Sequence, residues 1–307
     1  MLTILMGRAK TGKSEQVLRR IGELGDSSRQ ILLVPEHASY QAEVDVCRVC
    51  GDHASRYAEV LSFQSLATRV LSQTGGISDI TLDNGGKILI MRRALQEVSS
   101  YLTVFSKPSQ RPAFLRELVA LADELYAYKI APSLLLQQVQ DIPGAAGDKL
   151  RSTALLFGAY DARLHGGDFD ARSKVQKLCD KLPNSDYLCG KDIYIDGFSY
   201  FNRTEEDIIA AALKQANSVT VTLLGDDSDP QLFRNGIQQR ERLRRLAKDA
   251  GCSCEVENLV RNSNTAFSHL ERYFLGAEKA WTGGAPSITL YQANTAYSEV
   301  EYVSAQL

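Results

Sequence analysis

A chain of 307 residues with 44% hydrophobic content can bury a sizeable core, either as two domains or as one large α/β domain with an insertion. A formal net charge of −2 excludes a general electrostatic pull toward nucleic acid, so any DNA contact would need a local basic surface. The apolar runs fall short of the roughly 18–20 residues that cross a bilayer, and the opening residues lack the flank and cleavage site of a signal peptide. A cytoplasmic protein without membrane partners is the expectation.

Leu2–Met6 is a short apolar run closed by Gly7, which predicts a buried strand. Lys13–Leu24 places Val17, Leu18, Ile21 and Leu24 at helical spacing. Between them lies GRAKTGKS, Gly7 to Ser14, which matches the phosphate-loop pattern G-x-x-x-x-G-K-[ST] at each constrained position. Gly7 and Gly12 permit a tight backbone path, and the amides from Lys10 and Thr11 through Ser14 can then point at phosphate oxygens. Lys13 would reach the outer phosphates as a point charge, and the Ser14 hydroxyl would ligate magnesium. The bland reading is a glycine-rich turn joining strand to helix. The position between strand and amphipathic helix favours nucleotide binding with Mg2+; ATP is the expected nucleotide, the base specificity of the site being left open by the sequence.

Ile31–Pro35 predicts a second strand, Glu43–Val49 a helix, Glu59–Phe63 a third strand and Gln64–Leu71 a helix. Strands alternating with helices imply a parallel sheet with both faces covered. From about Asp83 to Lys181 the pattern is helical, with helices predicted at Lys87–Ser99, Pro112–Tyr128, Pro132–Gln140 and Lys149–Leu164. Strands resume at Asp192–Ile195 and Ser218–Leu224, with a helix at Thr204–Gln215 between them. Cys254–Glu257 and Ser287–Gln292 read as further strands, and Tyr297–Gln306 as a helix. Because the chain stops inside that helix, a piece of a longer protein is expected.

Ile193-Tyr194-Ile195-Asp196 has the form of a Walker B strand, whose terminal carboxylate would hold the magnesium and serve catalysis together with Lys13. The next residue is Gly197, where a strong ATPase would place a glutamate, so slow turnover is expected. Glu205 or Glu206, on the following helix, could substitute. After the Val219–Leu224 strand, Asp226 would lie near the phosphates with Gln231 as a γ-phosphate sensor; a polar turn capped by aspartates is the equal alternative.

Gln238–Lys248 carries Arg240, Arg242, Arg244, Arg245 and Lys248, and a solvated helix face is preferred over a nucleic-acid patch. Cys47-x-x-Cys50 and Cys252-x-Cys254 do not make an ordinary zinc spacing, so reduced thiols are expected for all six cysteines.

Taken in order, the phosphate loop, LLVPEHASYQAE, VLSFQSLATRVL, IYIDGFSYFNRTEEDII, LLGDD and NTAYSEVEYVSAQL resemble the ordered motifs of superfamily 1 DNA helicases. YIDGFSYFNRTE is more particular. It is similar to the corresponding segment of the AddB (RexB) family within the bacterial AddAB helicase–nuclease, where Asp-Gly-Phe replaces Asp-Glu. The resemblance implies a P-loop NTPase (RecA-like) three-layer α/β domain at 1–82 and 186–284, interrupted by an all-helical insertion at 83–185. Residues 285–307 would begin a second motor-like domain. It also implies DNA double-strand break repair and recombination, an AddA-like helicase–nuclease partner subunit, and DNA contact in the full complex. The nuclease and its iron–sulfur cluster would lie in a C-terminal part outside this chain. A self-contained P-loop small-molecule kinase, with the helical stretch as its lid, stays open as the competing reading.

Overall fold

The computed structural model describes residues 1–75, 82–105, 111–139, 142–165, 173–260, 265–273 and 280–307. Six short strands pair side by side: β1 (Leu2–Gly7), β2 (Arg29–Leu33), β3 (Ala58–Leu61), β4 (Lys191–Ile195), β5 (Ser218–Leu224) and β6 (Cys254–Leu259). Every pairing is parallel, and the order across the sheet is β3-β2-β4-β5-β1-β6. Parallel strands need covered faces, which accounts for the near-continuous apolar runs.

Alternate residues of each strand enter different cores. Ile4, Ile31, Ile193 and Val221 pack on one face against α3 (Phe63–Thr74), α8 (Lys174–Lys181), α9 (Arg203–Gln215) and α10 (Arg234–Asp249). Leu5, Leu32 and Tyr194 pack on the other against α1 (Lys13–Leu24) and α2 (Ser39–Cys50). Helix, sheet and helix make the three layers of a RecA-like α/β domain, as expected from the sequence.

The helices predicted between strands β3 and β4 form a core of their own. Here α4 (Asn84–Val98), α5 (Pro112–Ala127) and α7 (Gly144–His165) enclose Met91, Leu95, Leu118, Phe157 and Tyr160, with α6 (Pro132–Val139) beside them. This core is tied to the sheet layers where the Thr204 hydroxyl donates to the Ala127 carbonyl at 2.9 Å. Of the predicted Pro132–Gln140 helix, Gln140 lies outside the described residues.

Local capping sets several boundaries. Ser62 accepts from the Ser65 amide at 3.1 Å, so the chain turns helical at Phe63 and the third strand ends two residues before its expected limit. Asp83 accepts from the Gly86 amide at 2.7 Å, starting α4 earlier than periodicity implied.

The chain divides into two units, Met1–Leu259 and Val260–Leu307. In the second, α11 (Ala266–Tyr273) and α12 (Ala296–Gln306) are helical. The strand expected at Ser287–Gln292 does not form. A strand needs a partner for its main-chain groups, and none is present in this unit among the described residues. Leu290 is 97% exposed there, and the Tyr291 ring instead stacks on Tyr302 at 3.8 Å between centroids.

Candidate functional site

The phosphate-loop sequence occupies the carboxyl end of β1, inside the sheet between β5 and β6. Gly7 lies in register with Leu224 on one side and Leu259 on the other. A Cβ on Gly7 would meet both the Leu259 carbonyl oxygen and the Thr11 hydroxyl at 2.6 Å, so only glycine lets the chain turn here. Lys10 and Gly12 then take positive φ, 55° and 85°. The left-handed Gly12 is the residue from which α1 starts, and no side chain caps the helix. Its first amides therefore have no side-chain acceptor at the cap, the arrangement that receives an anion.

Lys13 folds back over this loop. Its Nζ donates to the Gly7 carbonyl at 2.8 Å, the Arg8 carbonyl at 2.7 Å and the Thr11 hydroxyl at 3.4 Å. The ammonium is thus held by two carbonyls and a hydroxyl of the loop itself. Ser14 is exposed on the first turn of α1.

Asp196 follows β4, two strands from β1 with β5 between. Its amide donates to the Leu33 carbonyl at 2.9 Å, and its Oδ1 accepts from the Thr222 hydroxyl at 2.5 Å. Thr222 is buried on β5, so the carboxylate is fixed from its neighbour strand. Gly197 has a φ of 82°, which turns the chain sharply behind the carboxylate.

Asp226 sits beside the loop but is engaged by Arg8, whose Nε donates to Oδ2 at 2.6 Å while the guanidinium lies 5.2 Å from the Phe233 ring centroid. The Ser228 amide donates to Oδ1 at 2.8 Å. Burial by itself would raise this carboxyl; the Arg8 and Ser228 hydrogen bonds and the Arg8 charge outweigh it and hold the pKa below the usual range. The Gly225 amide also donates to the Gly7 carbonyl at 3.2 Å. Helix α10 approaches closely because a Cβ on Gly236 would stand 1.8 Å from the Leu224 carbonyl oxygen. Gln231 is exposed in the turn before α10.

Glu205 and Glu206 have other partners. Glu205 completes a capping box with Asn202, accepting from its amide at 2.9 Å. Glu206 is buried and accepts from Arg242 at 3.4 Å and Arg203 at 3.5 Å. The basic stretch on α10 is largely paired: Arg240 binds Asp227 at 2.8 Å and Glu241 at 3.1 Å, and Arg244 reaches Glu241 at 3.6 Å. Beyond the carboxyl ends of β2, β3 and β4 lies a second cleft of about 430 Å³, where Phe63 and Phe198 meet at 5.3 Å between centroids beside Lys87 and Asn202.

Arg8 and Thr222 went unnoticed in the sequence. Arg8 occupies a variable position of the motif. Thr222 had a signal: polar residues at alternate positions of an apolar buried strand need hydrogen-bond partners. The six cysteines are free thiols; Cys50 donates to the Leu18 carbonyl at 3.3 Å and Cys252 to the Leu213 carbonyl at 3.1 Å. No helix among the described residues is long and apolar enough to cross a membrane.

An all-parallel sheet with a glycine loop between β1 and α1, and an aspartate two strands away, defines a RecA-like α/β domain. Residues 4–271 match the family described as "ADDB, N-terminal", and the chain belongs to that family. It is 28% identical to a protein of Clostridioides difficile (strain 630) and 30% identical to one of Desulforamulus reducens, in each case over 100% of this chain and 28% of the relative. Identity to a protein of Heliobacterium modesticaldum is 31%, over 100% of this chain and 27% of that relative. Each of the three is named as one subunit of an ATP-dependent helicase/deoxyribonuclease. The chain thus spans a little over a quarter of their length.

Proposed function

We propose that this chain is the N-terminal, ATP-binding part of a helicase–nuclease subunit acting in DNA double-strand break repair and recombination. The observation that carries the reading is the uncapped start of α1 behind a left-handed Gly12, with Lys13 Nζ held at 2.8 Å from Gly7 O. A nucleotide's phosphates would take the acceptor role toward the amides of Lys10 through Ser14, and Lys13 would exchange carbonyl partners for phosphate oxygens. Ser14 and Asp196 are the donors suited to Mg2+, since hydroxyl and carboxylate oxygens are what that ion takes. No described residue binds Asp196 Oδ2, which leaves an oxygen available. Bound Mg2+ would supply charge neutralisation at the phosphates.

Asp226 and Gln231 remain nucleotide-site candidates by position, with Asp226 acting through Arg8. Hydrolysis is slow on this reading, because Gly197 offers no carboxylate and Glu205 and Glu206 are held elsewhere. Within the longer protein, 1–82 with 186–284 form the first motor-like domain, 83–185 the helical insertion, and 285–307 the start of the second. The partner is an AddA-like subunit, the complex is cytoplasmic, and the iron–sulfur nuclease lies outside this chain. DNA is contacted in the full complex.

Calorimetric titration with ATP and magnesium tests the proposal. Saturable heat with wild type and its loss in Lys13→Ala is the expected result; equal heat in both, or none in either, would refute it. Robust transfer of phosphate to a small acceptor would instead favour a kinase.

A further inference from the structure

Strand β3 is one of the two edge strands of the sheet, the other being β6, and a groove runs along it. The Gln30 amide donates to the Tyr57 carbonyl at 2.7 Å and the Val34 amide to the Leu61 carbonyl at 2.9 Å. Residues 57, 59 and 61 therefore face β2, and strand alternation turns the N–H and C=O of Ala58 and Val60 away from it, Ala58 being buried itself and Val60 half-buried. Both residues line a cleft of about 680 Å³. Its walls rise from opposite faces of the sheet: α2 supplies Glu43 and Cys47, and α3 supplies Arg69 and Gln73. An unpaired edge between two walls is a template for an added strand.

The lining charges select the occupant. Arg29, Arg56, Arg69 and Lys191 face Glu43 and Glu59. Glu59 is already engaged, by Arg69 at 3.0 Å and by the Tyr187 hydroxyl at 2.8 Å. Arg69 is taken up by Glu59 and Arg56 is paired with Asp26 at 3.6 Å, whereas Arg29 and Lys191 have no carboxylate partner among the described residues, so the lining keeps a net positive charge.

We infer that this groove receives an acidic, extended segment of the partner subunit as a seventh strand. The inference rests on the reading of the chain as one subunit of a two-subunit enzyme. Two copies of this chain meeting edge to edge would set the same cations against each other. Nucleic acid would leave the outward main-chain groups of Ala58 and Val60 without a ladder. Exposed rim cations also accelerate encounters between separate chains, a gain that a covalently tethered segment does not need.

The test uses the intact two-subunit complex. Hydrogen exchange across residues 57–62 should be at least tenfold slower in the complex than in this chain alone. Photo-crosslinkers placed at Glu43 and at Gln73 should capture one acidic stretch of the partner. Val60→Pro, which removes an outward N–H at an edge position, and Arg56→Glu should each weaken subunit association at least tenfold. Unchanged exchange, unchanged affinity in both variants, or crosslinks to the same polypeptide, a second copy or DNA would overturn the proposal. Failure of the subunits to copurify would defeat the two-subunit reading and this proposal with it; copurification without protection would defeat this proposal alone.

Discussion

Arg8 Nε and Asp226 Oδ2 lie 2.6 Å apart, joining the variable part of the phosphate-loop sequence to the turn after β5 across 218 residues of chain. Asp226 is thereby a support for the loop. Asp226→Asn is expected to destabilise the protein by about 1–2 kcal/mol at neutral pH, the lower part of the range for charged hydrogen bonds because solvent reaches the pair. The pH dependence has a definite sign. A carboxyl depressed in the native state contributes stability above its unfolded value of about 3.9 and loses it as pH falls through the native value. Urea melts between pH 7 and pH 3 should show wild type and variant converging at the acid end. Parallel curves would contradict this.

Glu205 should behave in the opposite way. Burial, the larger influence, raises its carboxyl despite the lowering hydrogen bond from Asn202. The native state then holds the proton to higher pH than the unfolded chain, so this group's contribution falls as pH rises from about 4.3 toward the native value. Glu205→Gln keeps an acceptor for the Asn202 amide while removing the buried charge. Its melting temperature is expected to exceed that of wild type at pH 7 and to match it near pH 4. A variant less stable at pH 7 would count against the assignment.

Gly197 cannot simply be exchanged for the glutamate of a strong ATPase. With φ at 82°, any L side chain there carries a left-handed penalty of about 1–2 kcal/mol. Gly197→Glu should lower stability by that amount in denaturant and leave phosphate release from ATP unraised. A fully stable variant with increased turnover would show that the turn can reshape around the new carboxylate.

Thr222 offers a way to separate metal from phosphate binding. Its hydroxyl donates to Asp196 Oδ1 at 2.5 Å, and Thr222→Val removes that donor with little change of shape. ATP affinity measured with magnesium should fall several-fold, while affinity measured with a chelator present should hardly move. Equal losses under both conditions would mean that Thr222 supports the fold rather than the carboxylate.

Much of this architecture was legible because it is written in short periods. Residues 2–24 announce strand, glycine loop and helix through spacing alone, and the capping side chains of Ser62, Asp83 and Asn202 act within three positions of their helices. The Asp-Gly-Phe at 196–198 carried the family resemblance in the same local way. The failed strand at 287–292 marks the limit: its alternation is genuine, but alternation cannot provide a neighbouring strand to pair with.

By itself, the sequence determined the class of fold, the order of the strands along the chain and the place of the phosphate loop, because periodicity and steric permission are properties of neighbouring residues. Only the tertiary structure decided which strands lie side by side, and with that the Arg8–Asp226 pair, the Thr222 hydroxyl on Asp196 and the open edge at β3. Those relations join residues separated by 26 to 218 positions, or depend on what is missing beside a strand. They arise when apolar faces are buried together, and no local pattern encodes which distant side chains that burial brings within hydrogen-bonding distance.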